Sequence, residues 1–347
     1  MNIEAPYTQT GYGYCAYNIT RQIRKDIPLS LFPIYNKISD EFLQDIKPLC
    51  ENSNYNPCEP CLKIWHEHDL IRRIGRGKYG ALTFFEINTL NKMRIDNMRT
   101  PDILMVSCKW AKEICEQHGV TAEIVPMGVD RDIFKPELIR LNNRFEVLNC
   151  GKWEVRKGHD ILAEVFLEAF PDEKDVRLNL ITSNPFLTDK EALDWLNYYY
   201  NTVGVDRVKT HGRIDTHSDV ARIMNDCTIG IFPSKAEGWN MEALEMLSCG
   251  KPIIITNYSA HTEYCTKENS FLIDIDNLEP AYDGKWFFGE SQWAEIGDKQ
   301  KKDMVAGLRY YYELWKKGDT MFNTGGVETA KKLTWRDTAE KITQLLS

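Results

Sequence analysis

Apolar and polar positions alternate with two different periods along the second half of the chain. Short apolar runs of the kind that form buried strands cover residues 145–149, 176–182, 208–211, 228–232 and 252–256. Stretches with the spacing of an amphipathic helix lie between them, at residues 160–169, 190–200, 218–225 and 241–249. Strands separated by helices of this length form βαβ units around a parallel sheet. The pattern therefore predicts an α/β, Rossmann-like domain.

The first half of the chain has a less regular pattern. Helical spacing covers residues 17–25 and 111–118, and strand-like runs cover residues 62–65, 103–107 and 123–125. Residues 128–144, with Pro136 and two asparagines, predict a linker between two domains. We therefore expect a first domain at 1–144 and a second at 145–330. An amphipathic helix at residues 335–346 is expected to return to the first domain, which would then also include residues 331–347.

The bulk composition fits two globular domains and no strongly basic surface. The chain has 347 residues, of which 43% are apolar and 11% aromatic, so it can bury real cores. Its formal net charge of −8 lacks the excess of lysine and arginine that drives binding to nucleic-acid phosphates. A nucleic-acid substrate is therefore not favoured.

Apolar runs and cysteines together indicate a cytoplasmic setting. No apolar run approaches the roughly 20 residues of a membrane span, and the first residues lack a basic region followed by an apolar one. The ten cysteines are dispersed, many in segments that read as core. We interpret them as buried thiols in a reducing compartment. The sequence thus predicts a cytoplasmic protein without a transmembrane segment.

Residues 229–245 contain the candidate ligand-binding residues of the second domain. A buried strand ends at Pro233, a loop runs to Glu237 and Gly238, and a helix begins near Asn240. Ligands of parallel sheets bind outside the carboxyl ends of the strands, and a helix N-terminus favours a diphosphate. Glycine lets the backbone approach such a ligand closely, and carboxylates accept hydrogen bonds from sugar hydroxyls. The segment therefore predicts a nucleotide-sugar site.

The three glutamates of this segment receive different interpretations. Glu237 and Glu245 are expected to face the ligand. Glu242 lies in the first turn of the helix, where a solvated carboxylate is favoured by the helix dipole. We expect Glu242 to be part of the helix surface.

The arrangement of these residues resembles a known signature. A Pro-Ser pair at 233–234, Glu237 followed by glycine and an aromatic residue, Glu245 eight positions later, and Gly-Lys-Pro at 250–252 are all present. This order is similar to that of the retaining GT-B glycosyltransferases of family four, the glycosyl transferases group 1 domain. Residues 151–158 resemble the family's Gly-Arg-spacer-Lys-Gly motif. There, Lys157 matches the lysine and Lys152 stands at the usual arginine.

Further segments extend the resemblance. Residues 211–214, with Arg213 and Ile214, resemble the loop that contacts the nucleotide base, and residues 259–263, 126–136 and 107–110 also resemble family motifs. In the first domain, Gly11 and Gly13 resemble the N-terminal glycine loop. His66 follows a strand, where relatives have a histidine that reaches the donor sugar, and His68 is the alternative.

The resemblance implies a GT-B fold of two Rossmann-like domains facing a central cleft. It implies an enzyme that moves a hexose or pentose from a nucleoside-diphosphate sugar to an acceptor hydroxyl with retention of configuration. Neither a metal nor a cofactor other than the donor is expected. Catalytic roles fall to His66, Glu237 and Lys157. The implied donor-binding residues are Gly11, Gly13, Lys152, Arg213, Ile214, Gly238, Trp239, Asn240, Met241 and Glu245.

Several alternatives stay open at this level. The acceptor is an unidentified glycan, lipid or protein hydroxyl, with a hydroxylated DNA base less favoured. A non-catalytic module that binds a nucleotide sugar or a glycan is the rival of another class. Cys58 and Cys61, near His66 and His68, look like part of a zinc site, but a second standard ligand pair is absent and free thiols are preferred. Exposed aromatic residues within 195–200 and 310–315 can serve as a partner surface or stack on a sugar.

Overall fold

The structure, a computed structural model, describes residues 1–51, 55–137, 143–319 and 321–347. The chain forms two compact units: Met1–Val129 together with Leu333–Ser347, and Asp130–Lys332. Residues 130–137 belong to the second unit, whereas the sequence suggested a boundary at 144. There, Asn225 accepts a hydrogen bond from the Glu137 amide at 3.1 Å. Of the linker expected at 128–144, residues 138–142 lie outside the described residues.

The first unit contains a six-stranded sheet in which all strand pairs are parallel, in the order β2-β1-β3-β4-β5-β6. Its strands are β1 (Asn2–Tyr7), β2 (Ser30–Ile38), β3 (Cys61–Ile64), β4 (Tyr79–Thr83), β5 (Ile103–Val106) and β6 (Glu123–Ile124). Its helices are α1 (Gly11–Ile23), α2 (Asp40–Ile46), α3 (Lys92–Met98) and α4 (Lys109–Gln117). Most residues of β1, β3 and β4 are buried, as expected of central strands in a parallel sheet that is covered on both faces.

The second unit contains a parallel six-stranded sheet in the order β12-β11-β10-β7-β8-β9. Its strands are β7 (Phe145–Cys150), β8 (Val176–Ile181), β9 (Val208–Thr210), β10 (Ile229–Phe232), β11 (Ile253–Asn257) and β12 (Phe271–Asp274). Its helices are α5 (His159–Ala169), α6 (Asp189–Val203), α7 (His217–Asp226), α8 (Met241–Ser248), α9 (Asp298–Lys317) and α10 (Thr324–Lys332). An antiparallel hairpin of β13 (Leu278–Tyr282) and β14 (Phe288–Ala294) follows β12.

The C-terminal helix α11 (Trp335–Leu346) belongs to the first unit, which confirms that it returns there. Trp335, Ile342 and Leu346 are buried, and the Thr338 hydroxyl donates to the carbonyl of Pro126 at 2.7 Å. The apolar stripe of this helix thus completes the core of the first unit rather than that of the second.

Side chains from one face of the second sheet pack with helices α5, α6 and α9. Phe145, Phe166, Leu178, Tyr199 and Leu308 belong to one buried apolar cluster. All ten cysteines are free thiols, and eight of them are buried, as the sequence indicated. Among the described residues, no helix combines the length and the apolar character needed to cross a bilayer.

Candidate active site

The strand order of the second unit creates a switch point between β7 and β10. From β7 the chain proceeds to β8 and β9 on one side, and from β10 to β11 and β12 on the other. The loops that follow β7 and β10 therefore leave the sheet in opposite directions, with a crevice between them where ligands of such sheets bind. These two loops contain Lys157 and Glu237.

Two cations from the β7 loop contact one carboxylate from the β10 loop. Lys157 Nζ lies 2.8 Å from Glu237 Oε1, and Arg156 Nη1 lies 3.0 Å from Glu237 Oε2. All three side chains are at least nine-tenths buried. Arg156 Nη1 also donates to the Ala236 carbonyl at 2.8 Å. The cluster therefore holds the two loops together.

Charges rather than burial set the protonation of this cluster. Burial alone would raise the pKa of Glu237, but the charges of Lys157 and Arg156 outweigh it and hold that pKa far below its usual value. Burial would lower the pKa of Lys157, yet the Glu237 carboxylate raises it above its ordinary range. All three groups are thus charged at neutral pH.

Arg156 is the second cation that contacts Glu237, and Lys152 pairs with Glu154. The Lys152 side chain is 44% exposed and its ammonium pairs with Glu154 at 2.8 Å. Arg156, in contrast, is buried and bridges Glu154, at 2.7 Å, to Glu237. Arg156 could have been noticed in the sequence as the basic residue directly before Lys157. The direction of its side chain is set by the 3-10 turn Val155–Lys157.

Two glycines allow this close packing. Gly158 has a φ of 78°, and a Cβ there would lie 2.3 Å from the carbonyl oxygen of Pro233. Gly151 lets the aliphatic part of Lys157 pack against the backbone, since a Cβ there would lie 3.3 Å from Lys157 Cδ. Only glycine fits at position 158, which brings the end of the 3-10 turn against the end of β10.

Helix α8 begins directly after Glu237, Gly238 and Trp239, which are buried. Its N-cap, Asn240, has a φ of 72° and accepts a hydrogen bond from the Ala243 amide at 3.3 Å. The half-buried Met241 is the first helical residue. The N-terminal amides of α8 and the partial positive charge of the helix dipole thus lie beside the cation cluster.

A buried histidine that sequence reasoning missed fixes this N-cap. His261 Nδ1 lies 2.9 Å from the Thr256 carbonyl, so Nδ1 carries the proton, and Nε2 accepts from Asn240 Nδ2 at 2.8 Å. Burial lowers the pKa of His261 to about 4, which keeps the ring neutral. His261 lies within residues 259–263, which resemble a family motif, but only the fold shows that it reaches Asn240.

The 3-10 helix Ser259–Glu263 supports the same loop. The Ser259 hydroxyl accepts a hydrogen bond from the Glu237 amide at 2.8 Å. The Tyr264 hydroxyl donates to the carbonyls of Trp239, at 3.1 Å, and Asn240, at 2.8 Å. The segment at 259–263, which resembled a family motif, therefore braces the β10–α8 loop.

The remaining two glutamates are both close to the cluster. Glu245 is buried, and burial, followed by the charges of Glu242 and Asp130, raises its pKa well above the ordinary value. Its surroundings therefore favour the protonated form of Glu245. Glu242 was expected on the helix surface, but it is half-buried and its charge helps to raise the pKa of Lys157.

Arg213 and Ile214 follow β9 at the outer edge of the sheet. They lie on the same carboxyl-end edge as Lys157 and Glu237, because all six strands are parallel. Three strand spacings separate β9 from β10, which amounts to about 14 Å. Arg213 is exposed and Ile214 half-buried. This geometry suits an extended ligand that has its anionic part at β10.

The first unit brings its own predicted residues together. Gly13 lies in the first turn of α1, where a Cβ would come within 1.8 Å of the Thr8 carbonyl oxygen, and Gly11 is exposed at the start of that helix. The ring of Tyr12, between them, lies 4.5 Å from the ring of His66, centroid to centroid. His66 in turn stacks on His68, with 5.2 Å between the ring centroids.

Three neighbouring side chains around His66 are of types that can bind a metal ion. Among the described residues, His66, Glu67 and His68 offer ligand atoms within 4.8 Å of one another. Glu67, however, is buried in an ion pair with Arg94 at 2.8 Å, so its charge is already compensated. Cys58 and Cys61 are not part of the cluster.

Comparison with known proteins finds a family match within the second unit. Residues 144–283 match the family described as Glycosyl transferases group 1. MMP alpha-(1->4)-mannosyltransferase of Mycolicibacterium hassiacum is 26% identical over 214 residues, which cover 59% of this chain and 50% of that protein. The GDP-mannose-dependent alpha-(1-6)-phosphatidylinositol dimannoside mannosyltransferase of Mycobacterium tuberculosis is 24% identical over 182 residues, covering 50% and 45%. The chain thus spans about half the length of these curated relatives.

Solved structures of similar fold cover the whole chain. HepE of Anabaena, in complex with UDP-glucose, has a TM-score of 0.72 at 15% identity and covers 100% of this chain and 99% of its own. Sucrose-phosphate synthase of Thermosynechococcus elongatus has a TM-score of 0.69 at 13% identity, with 99% and 97% covered. These likenesses confirm the predicted fold class of two Rossmann-like domains of the GT-B type.

Proposed function

We infer that this chain, which belongs among the group 1 glycosyltransferases by the match of its residues 144–283, transfers a sugar from a nucleoside-diphosphate donor to an acceptor hydroxyl. The observation that carries the proposal is the buried cluster of Lys157, Arg156 and Glu237 at the switch point of the second sheet. Two cations and a helix N-terminus at one place suit a diphosphate better than a neutral ligand.

The reaction needs charge stabilisation more than acid–base chemistry. The bond between the anomeric carbon and the diphosphate oxygen breaks, and its electron pair leaves on the diphosphate. The acceptor oxygen forms the new bond to that carbon and releases its proton. Lys157 and Arg156 would stabilise the negative charge on the leaving group, together with the α8 amides. We propose that these groups take the place that a metal ion has in other transferases, with retention of configuration.

The glutamates have distinct proposed roles. Glu237 binds both cations through its two carboxylate oxygens. We propose that Glu237 also contacts the donor sugar. Burial raises the pKa of Glu245, and in its protonated form the carboxyl can donate a hydrogen bond as well as accept one, which suits a ribose hydroxyl. The contact of His66 with the donor sugar remains a prediction, as does the contact of Arg213 and Ile214 with the base.

The donor is proposed to be a hexose or pentose nucleotide, and the acceptor a hydroxyl of a glycan, lipid or protein. UDP and GDP donors are the first to test, because HepE was solved with UDP-glucose and the mycobacterial relative is named as GDP-mannose-dependent. A reducing, cytoplasmic setting is part of the proposal and is supported by the ten free thiols.

A donor panel tests the proposal. Purified protein is incubated with UDP- and GDP-sugars, and both the release of nucleoside diphosphate and the shift in melting temperature are measured. We expect slow release from one donor, lost in Glu237→Ala and Lys157→Ala but kept in the exposed control Lys317→Ala. A melting shift without release in any wild-type assay would favour a binding module instead. Neither a shift nor release would contradict the proposal.

A further inference from the structure

A second cavity in the Asp130–Lys332 unit lies between helix α6 and the β13–β14 hairpin. Its volume is about 620 Å³, within the range of roughly 300–1,000 Å³ that small-molecule sites occupy. Lys157, Glu237 and Glu245 do not line it. The cavity shares the start of the β7 loop with the cation cluster, since Trp153 and Glu154 line its wall.

Indole rings and carboxylates dominate this cavity. Trp153, Trp195 and Trp286 line it, and the first two rings are parallel within 3°, with centroids 6.0 Å apart. Trp286 is 48% exposed at the tip of the hairpin, beside the exposed ring of Phe186. Exposed indoles at a cavity mouth provide flat apolar faces for the C–H surfaces of a sugar ring.

The charge of the lining argues against an anionic ligand. Five carboxylates line the cavity (Glu154, Asp160, Glu191, Asp194 and Asp283), against a single lysine, Lys285. That lysine is already bound to both oxygens of Glu191, at 2.8 and 3.0 Å. Glu154 and Asp160 are compensated by Arg156 and Lys235, at 2.7 and 3.0 Å, so the excess negative charge of the lining comes from Asp194 and Asp283. A phosphate is therefore less favoured here than at the switch point.

One of the carboxylates is open to a ligand. Asp160 is not, because Oδ2 binds Lys235 at 3.0 Å and Oδ1 is buried away from the cavity surface. Asp194 is exposed, at the lip of the cavity on α6. Carboxylate oxygens of this kind accept hydrogen bonds from the paired hydroxyls of a sugar.

The walls are fixed by their own contacts. Asp283 Oδ1 accepts hydrogen bonds from the amides of Lys285, Trp286 and Phe287, at 2.8, 2.7 and 2.9 Å, which sets the hairpin tip. The Lys285–Glu191 pair then ties this tip to the start of α6. Trp286 is thus held in position before any ligand binds, which lowers the entropic cost of binding.

We propose that the cavity between α6 and the hairpin is a binding site for a neutral oligosaccharide, distinct from the nucleotide site at the switch point. Trp286 and Trp195 offer stacking faces, and Asp194 accepts hydrogen bonds from the sugar hydroxyls. The proposal concerns binding alone, so it does not depend on transferase activity.

Saturation-transfer NMR and calorimetry test this site in the full chain. The probes are neutral trisaccharides of α-1,4-glucose, β-1,4-glucose and α-1,6-mannose, each with saturating UDP or GDP present. We expect one of them to bind saturably, and Trp286→Ala and Asp194→Asn each to weaken it by about tenfold. Tyr310→Ala, which removes an equally exposed ring on α9, is the matched control and should leave the affinity unchanged.

Four results would overturn the proposal. The first is that no trisaccharide binds to the wild type, and the second is that Trp286→Ala leaves the binding unchanged. The third is that the nucleotide abolishes the binding. The fourth is that tetramethylammonium binds in preference to the trisaccharides, which would make the cavity a cation site. Melting curves of the variants verify that they fold. Because Trp286 and Asp194 are exposed, the folded state is expected to survive both changes.

Discussion

Replacing Glu237 by glutamine removes the negative charge that lies within 3.0 Å of both Lys157 and Arg156. Removing one partner of a buried ion pair typically costs about 3–5 kcal/mol. The lower end applies here, because Arg156 retains Glu154 at 2.7 Å. For a unit of this size each kcal/mol lowers the melting temperature by about 2–4 °C. Glu237→Gln should therefore melt roughly 6–12 °C below the wild type.

A nucleoside diphosphate should restore part of this loss. If the two cations bind a diphosphate, its negative charge replaces that of Glu237, and UDP or GDP will raise the melting temperature of the variant more than that of the wild type. The assay is differential scanning fluorimetry over a series of nucleotide concentrations. Glu279→Gln is the matched control, because Lys235 there keeps a second carboxylate, Asp160, at 3.0 Å. A Glu237→Gln protein that melts with the wild type, or one that nucleotides stabilise no more than the wild type, would refute this reasoning.

Three further predictions concern other positions. Gly158→Ala should lower the free energy of unfolding by at least about 2–3 kcal/mol in urea titrations. The backbone strain of a positive φ adds to the clash between the new Cβ and the carbonyl oxygen of Pro233, which follows β10. Gly318→Ala, with a φ of 74° and open space around it, should cost only the strain, and equal losses would contradict the packing argument. Glu245→Gln should raise the melting temperature at pH 7–8 but not near pH 4. The raised pKa of Glu245 stabilises the folded protein at low pH, and this stabilisation is lost as the pH rises, whereas glutamine does not titrate. An equal effect of the substitution at both pH values would show that Glu245 titrates normally. His66→Ala should lower kcat by about 100-fold in the donor assay, while His68→Ala stays within a few-fold; the reverse pattern would assign the role to His68.

The part of the second unit at residues 145–256 could be predicted from the sequence, whereas β12, α9 and α10 were not predicted. Its buried parallel strands are short apolar runs, and each of the five strands predicted there, from 145–149 to 252–256, lies within two residues of an observed strand. The hairpin escaped notice because Leu278–Tyr282 contains Pro280 and is largely exposed, which hides the strand pattern. The alternation of apolar residues reflects burial, so a strand that is mostly exposed does not show it.

The first unit was harder to predict. Strands β1, β2 and β4 were missed, because β1 and β2 contain Pro6 and Pro33, and β4 contains Gly80, residues that normally weaken a strand assignment. A Cβ at Gly80 would lie 2.6 Å from Leu346 Cδ2 of α11, so a larger residue there would displace that side chain. Contacts between residues so far apart in the chain leave no local signal.

The site was predicted where its residues follow a fixed order, and missed where the fold alone unites them. Glu237 and Lys157 stand in a motif that can be read from the chain, and the structure brings them within 2.8 Å. Arg156 and His261 became visible only with the structure. The first lies in a 3-10 turn that aims it inward, and the second reaches Asn240 across the sheet edge.

The most direct test of the account is calorimetric titration of UDP and GDP into the wild type and three variants. The account places the diphosphate on Lys157 and Arg156, so Lys157→Ala and Arg156→Ala should each weaken the binding of the preferred nucleotide by about 10- to 100-fold. Lys152→Ala should change it by less than about threefold, because that side chain is largely exposed and bound to Glu154. Binding that depends on Lys152 and not on Arg156, or no binding of either nucleotide by the wild type, would contradict the account.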